Sequence, residues 1–191
     1  MPAQIALSGP TRKDAVARRT ALLDAAIDCI EAHGYAVPLE EIADRAGVGR
    51  ATLYRNFKDR VALALAIFAR EIDQLVPPET LELPFEDALR RIVRDGARMS
   101  ALFARLLAEV QLDEAQLAAF RQLGLRAERA LEPLVARAHA EGRLRPDVGA
   151  QELLMVVRML GALCKPFKEE DEIAEMVTTG LTLLLHGIAP R

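Results

Sequence analysis

Residues 38–60 read PLEEIADRAGVGRATLYRNFKDR, and this stretch decides the fold. Its spacing predicts two short helices joined by a tight turn. The first runs from Leu39 to about Ala46, with Leu39, Ile42 and Ala43 on one face. Gly47 follows, where a helix needs a residue tolerant of positive φ in order to stop. Val48 plugs the space between the helices, and Gly49 stands at the cap of the next. The second helix, Arg50 to about Asn56, is too short to be stable alone. Leu53 and Phe57, four apart, anchor its inner face. Arg50, Thr52, Tyr54 and Arg55 are left outside, followed by Lys58 and Arg60. A short helix with an apolar back and a front of Arg, Thr and Tyr suits the major groove of DNA, held there by neighbours that touch phosphate.

Helix pairs around a glycine turn occur in many helical proteins, so the fold alone leaves DNA binding undecided. The residues go further. Ile42-Ala43, Ala46-Gly47-Val48 and Thr52-Leu53-Tyr54…Phe57 follow one another in this order. The arrangement resembles the DNA-binding signature of the TetR family of bacterial transcription regulators, with its Ile-Ala pair, Ala-Gly-Val turn and Thr-Leu-Tyr…Phe recognition helix. The resemblance covers about Ala15 to Val76; beyond that, only helical layout and length match. The family usually has Thr where Pro38 stands and Ser where Gly49 stands, often Gly at Ala51 and often His at Asn56. Pro38 offers no capping hydroxyl, though proline suits a first helical turn, and Gly49 is a tolerable cap.

Long periodic apolar patterns with few strand-like alternations independently argue for an all-α chain. Together with the resemblance they imply about nine helices. An N-terminal three-helix helix-turn-helix DNA-binding domain would occupy 15–75, with its motif at 38–57, and a C-terminal helical ligand-binding and dimerisation domain would occupy 80–191. The 191 residues, 51% of them hydrophobic, are enough for one large or two small cores. Charge is uneven. Residues 1–60 carry 9 Lys/Arg against 8 Asp/Glu, and residues 61–191 carry 16 against 20, within an overall net charge of −3. A local basic face on an acidic body fits sequence-specific docking better than bulk electrostatic coating of nucleic acid.

Ile5-Ala6-Leu7 is too short for the apolar core of a signal peptide. No run approaches the roughly 18 apolar residues of a membrane span, and Arg158 interrupts the nearest candidate. The expected location is therefore the cytoplasm, without a membrane partner. Cys29 and Cys164 are isolated within helical patterns and fit small buried fillers rather than a redox pair.

Taken in order, Arg12, Lys13, Arg18 and Arg19 open the first helix as a solvated start or as an arm toward phosphate or the minor groove. That helix continues to about His33, and Gly34 ends it, with Tyr35 packing under the turn. After the reader helix, Asp59 caps a helix from Arg60 to about Val76, which would act as a lever between the domains. Pro77-Pro78 stops it, and Glu79 to Leu83 is a connector. Pro84 begins the next helix, with Leu89, Ile92 and Val93 buried, and another follows around Leu102, Phe103, Leu106 and Leu107. Asp113 and Gln116 form a capping box for a long helix to about Glu141, with a kink expected near Arg129 from Pro133. The last two helices run from about Gly149 to Cys164 and from the acidic run Glu169–Glu172 to about His186-Gly187.

Both of these last helices are apolar over much of their circumference, which argues for a subunit interface. Its candidates are Leu153, Val157, Leu160, Gly161, Met176, Val177, Gly180, Leu181 and Leu184. The resemblance implies the same, a four-helix bundle formed by the last two helices of each subunit. Met99, Phe103, Leu106, Phe120, Met155 and Met159, with Arg158 as polar anchor, are candidates for an apolar ligand cavity. At helical spacing they also fit a plain core.

His33, His139 and His186 lie far apart without metal-ligand spacing, and there is neither a glycine-rich phosphate loop nor a nucleophile elbow. Glu40-Glu41 and Glu169-Glu170 fit the positive end of a helix dipole better than acid–base catalysis. No metal, cofactor or enzymatic activity is expected. The expectation is a homodimeric repressor on a palindromic double-stranded DNA operator, responsive to an unidentified small-molecule effector. Arg50 and Arg55 would read bases, and Thr52 would touch a thymine methyl or a phosphate. Tyr54, Lys58 and Arg60 would hold phosphates, with Ala51 on the same surface. The competing expectation is a ligand-binding or scaffold protein that keeps the motif without binding DNA.

Overall fold

The computed structural model describes residues 12–96, 111–163 and 170–188. The described residues contain helices and no strand, so the fold is all-α. In order, the helices are α1 Arg12–His33, α2 Leu39–Arg45, α3 Arg50–Asn56, α4 Arg60–Asp73, α5 Pro78–Leu81, α6 over residues 85–96, α7 Glu114–Ala140, α8 Ala150–Leu163 and α9 Glu170–Ile188. The helix expected around Leu102–Leu107 falls outside the described residues, as do Cys164 and the Lys165-Pro166 stop.

The chain divides into two compact units, one ending at Ile67 and the other beginning at Phe68. This division lies inside α4, ahead of the Pro77-Pro78 stop. Ile72, Leu75 and Val76 pack against the core of the second unit, which is why they belong to it.

In the first unit, α1 contributes Leu22 and Ala26, α2 contributes Ile42 and Ala43, and α3 contributes Leu53, all with no exposed surface. Two positive-φ glycines end helices: Gly34 closes α1 at φ 83°, and Gly47 closes α2 at φ 65°. At the second turn the Gly47 amide donates to the Asp44 carbonyl at 3.1 Å and the Val48 amide to that of Ala43 at 3.0 Å. Carbonyls at the end of α2 are thereby satisfied, and the chain is turned into α3. Tyr35 is buried beneath the first turn. Asp59 caps α4, its Oδ1 accepting from the Ala62 amide at 2.7 Å.

The second unit has its own core. Phe85, Leu89, Ile92 and Val93 of α6 meet Leu131, Leu134 and Ala138 of α7, Leu153, Val157 and Leu160 of α8, and Val177 and Leu181 of α9. The capping box at α7 is complete: the Gln116 amide donates to Asp113 Oδ1 at 2.7 Å, and the Asp113 amide to Gln116 Oε1 at 2.9 Å. Pro133 lies inside α7 and cannot donate to the Arg129 carbonyl. His139 Nε2 lies between the carbonyls of Arg145 at 3.1 Å and Val148 at 3.0 Å. Two acceptors require that nitrogen to carry the proton, so the ring ties the end of α7 to the turn before α8. The expected connector at 79–83 contains the single turn α5, with Thr80 fully buried.

The faces of α8 and α9 differ from expectation. Leu153, Val157, Leu160, Gly161, Val177 and Leu181, expected at a subunit interface, are buried in the chain's own core. Met176, Gly180 and Leu184 are half-buried. Gly180 has a use within the chain: a Cβ there would come within 2.4 Å of Leu160 Cδ2, so its absence brings α9 close to α8. Conversely, Met155 and Met159, expected in a cavity, are 54% and 53% exposed, and Arg158 is exposed beside them. A helix that is apolar nearly all round carries no phase in its sequence, and the assignment turns on about one residue of rotation.

Replacing Asp113 by Ala should cost about 1 kcal/mol of stability through loss of the cap. Leu131→Ala, in the fully buried centre of α7, should cost about 2–5 kcal/mol. Urea unfolding followed by circular dichroism checks both, and equal midpoints for the two variants would contradict this ordering.

Candidate nucleic-acid interface

The seven residues of α3 are held from several sides. Leu53 is fully buried and Phe57 is 1% exposed, so the inner face is locked against the first unit's core. Gly49 caps the helix in extended conformation without a side-chain bond. At the other end Arg19 reaches from α1. Its guanidinium lies 4.6 Å from the centre of the Phe57 ring, and it donates to the Asn56 carbonyl at 3.4 Å. A cation there meets both the face of an aromatic ring and the negative end of the helix. Arg45 of α2 pairs with Asp28 of α1 at 3.0 Å, which ties the preceding helix down as well.

Packing these parts leaves one side of α3 outward. Arg50, Ala51, Tyr54 and Arg55 are exposed, and Thr52 is half-buried. Arg50 makes no hydrogen bond or ion pair with the described residues, so its fork of donors is available. Arg55 Nη2 donates to Thr52 Oγ1 at 3.0 Å along the helix surface. Lys58 follows, exposed and 3.7 Å from Asp59. An open groove of about 410 Å³ lies between α1 and the turn, lined by Ala17, Arg18, Ala21, Gly47, Val48 and Thr52 among others. It brings a basic residue of α1 beside the start of α3.

Two expected phosphate contacts are engaged elsewhere. The Arg60 guanidinium lies 5.3 Å from the centre of the Tyr35 ring and donates to the Tyr35 carbonyl oxygen. It fastens α4 to the turn after α1, and a half-buried cation takes the acceptor and aromatic face nearest to it. Tyr54 donates its hydroxyl proton to Glu40 Oε1 at 2.9 Å, linking α3 to the first turn of α2. Its own backbone amide, then the Tyr54 hydroxyl, and then the positive fields of Arg50 and Arg60 hold the Glu40 carboxyl below the usual carboxylate range. The same hydrogen bond pushes the Tyr54 phenol above its ordinary value. Glu40 reads in the sequence only as a helix-start acid. Its partner is fourteen positions away, across a turn whose geometry brings the two together, and nothing in the local pattern announces it.

Of the candidate cavity, Met99, Phe103 and Leu106 lie outside the described residues. Phe120 is half-buried, with its ring centre 5.9 Å from that of Phe68. Met155, Arg158 and Met159 stand on an outward face and enclose nothing among the described residues. No group of His, Cys, Asp and Glu among the described residues is arranged to hold a metal ion, and no helix among them is long and apolar enough to cross a membrane.

Comparison with known proteins agrees with this geometry. Residues 22–67 match the model of bacterial regulatory proteins of the tetR family. Residues 84–190, more than half of the chain, match the SbtR-like transcriptional regulator C-terminal domain. The chain belongs to the TetR family. It is therefore a DNA-binding transcription regulator and not an enzyme. The repressor LfrR of Mycolicibacterium smegmatis is 28% identical over 171 residues, 86% of this chain and 88% of that one. The activator FasR of the same organism is 45% identical over 60 residues, 31% of this chain and only 27% of that one. A TetR regulator of Streptomyces coelicolor superposes with a TM-score of 0.67 at 28% identity, over 90% of this chain and 98% of that one.

In this TetR-family regulator the Glu40 contribution to stability follows from the sign of its shift. A lowered carboxylate stabilises the fold above the ordinary carboxylate range and loses that effect as pH falls through the lowered value. Tyr54→Phe removes the second-largest cause but leaves the backbone bond. The Glu40 carboxyl should then titrate higher than in the native chain yet still below an ordinary glutamate, as followed by carbon-detected NMR. An unchanged titration would mean that the Tyr54 hydroxyl does not hold the carboxylate.

Proposed function

We propose that this TetR-family regulator is a cytoplasmic homodimeric repressor that occludes a palindromic operator and releases it on binding a small-molecule effector. The observation that carries the reading is the outward side of α3, where Arg50 and Arg55 stand exposed over a locked inner face of Leu53 and Phe57. Arg50 presents free donors that match guanine O6 and N7 in the major groove. Arg55, steadied by Thr52, is the second base reader. Lys58 is the phosphate contact, and Tyr54 and Ala51 complete the surface. Arg60 acts through its hold on Tyr35, and its backbone amide at the start of α4 adds partial positive charge. Repression, rather than activation, is supported by LfrR, a repressor matched along nearly its whole length, whereas the activator is matched over a short segment only.

The dimer places two α3 helices one turn of B-DNA apart, roughly 34–36 Å, or a small multiple of that. Its contact surface includes Met155 and Met159 of α8 and Leu183 of α9, which is 72% exposed. Large apolar side chains left in water at this density favour a covering partner. An effector that prefers one spacing of the readers over the other shifts operator affinity through α4, with a coupling of about 1–3 kcal/mol.

The readers are tested by selecting operators from a randomised duplex pool and titrating them in gel shifts. Arg50→Ala should relax preference at one base pair by about 1–3 kcal/mol. Lys58→Ala should weaken all sequences alike and flatten the logarithmic salt dependence by about 0.9. Unchanged affinity in both variants would refute the assignment. The dimer is tested separately: Met159→Glu should shift sedimentation from dimer to monomer while leaving helical content intact, and a dimer of unchanged affinity would place the interface elsewhere.

A further inference from the structure

Glu40 is an acid inside a surface otherwise built for phosphate. Its carboxylate takes the proton of Tyr54, and Tyr54 is 47% exposed on the reader helix. A phenol has one proton to donate. Phosphate oxygens only accept, so Tyr54 cannot serve Glu40 and a DNA phosphate together. If the bond to Glu40 were broken in favour of a phosphate, two anions would stand side by side with one donor between them, and like charges at short range repel. A charge-assisted hydrogen bond to a carboxylate is moreover among the stronger ones a phenol makes. The exchange therefore gains nothing for DNA.

We infer that Glu40 limits the sequence-independent affinity of this protein for DNA by holding the single proton of Tyr54 away from the phosphate backbone. The inference rests on the DNA-reading role of α3 and adds to it a residue that works against binding. Tyr54, placed where a phosphate would lie, is silent toward DNA as long as Glu40 is ionised and bound to it. Base contacts of Arg50 and Arg55 are untouched, since neither donates to Glu40. Such a restraint keeps a regulator from lodging on arbitrary sequence, where phosphate contacts supply essentially all of the affinity.

The test uses the full chain and a short duplex of arbitrary sequence, titrated by fluorescence anisotropy at several salt concentrations. Glu40→Ala, which frees the hydroxyl and removes the charge, should tighten binding about three- to tenfold, the scale of one net hydrogen bond. Tyr54→Phe should leave the native affinity within about twofold but remove much of the gain when combined with Glu40→Ala. Glu40→Gln removes the charge and keeps an acceptor for Tyr54. It should tighten binding less, steepen the salt dependence, and be insensitive to Tyr54→Phe. Thermal melting shows whether each variant folds, and if Glu40→Ala does not, the Glu40→Gln series alone decides. The inference is overturned if removing Glu40 fails to tighten binding, if the full gain persists with Phe at 54, or if Tyr54→Phe alone weakens the native protein as much as it weakens the Glu40→Ala variant. Should the native protein bind no duplex in a salt-dependent manner, and Lys58→Ala change nothing, the DNA-reading role of α3 fails instead, and this inference with it.

Discussion

Burial of Leu53 and Phe57 is the constraint on which the candidate interface depends. A helix of seven residues does not hold its shape in water, so α3 exists because these two side chains fill space between α1, α2 and the start of α4. Once they point inward, the helical period leaves Arg50, Tyr54 and Arg55 on the outer side. Phe57 does a second job as the platform on which the Arg19 guanidinium rests while it closes the carbonyl end of α3. The anchor and the cap are thus one contact, and loss of the ring would free both the helix and the cation that ends it.

Second in importance is how the units hold their own helices. In the first unit the ties are polar and run between neighbouring helices: Asp28 to Arg45, Glu40 to Tyr54, and Arg60 to Tyr35. In the second unit the organisation is apolar, with α6, α7, α8 and α9 converging on one core. Exposed pairs of the first kind add little to stability individually. What they do is fix the angle and register of a surface whose use depends on where a few atoms lie, whereas the larger apolar core supplies bulk stability without needing such precision.

The motif was legible in the sequence because its signals are local. Gly47 needs positive φ, Leu53 and Phe57 are four apart, and Asp113 stands three residues before Gln116; each states its own conformation to within a turn. Orientation of α8 and α9 was not legible, because a helix with apolar residues on nearly every side offers no contrast from which to read a face. Leu153, Val157 and Leu160 could as well have pointed outward, and only the full packing of α6 and α7 shows that they point in while Met155 and Met159 point out. The division at Ile67 was hidden for a related reason: α4 is one uninterrupted helix, and nothing in its pattern marks where its neighbours change.

The cations show the same limit at the level of single atoms, and they show what the fold adds. Arg19, Arg50, Arg55 and Arg60 are alike in sequence terms, each a guanidinium near a short helix. The structure sorts them by where their donors go. Arg19 and Arg60 give donors to backbone carbonyls and lie over aromatic rings, so their charge is spent on scaffolding. Arg55 gives one to Thr52 on its own helix and keeps the rest. Arg50 is left with its whole fork. A guanidinium has five donors in fixed geometry, and recognition of a base edge needs two of them parallel and unoccupied. The surface can therefore be basic without every basic residue being a reader. Selectivity arises because the fold satisfies the others first, which confines base recognition to the part of α3 that enters the groove.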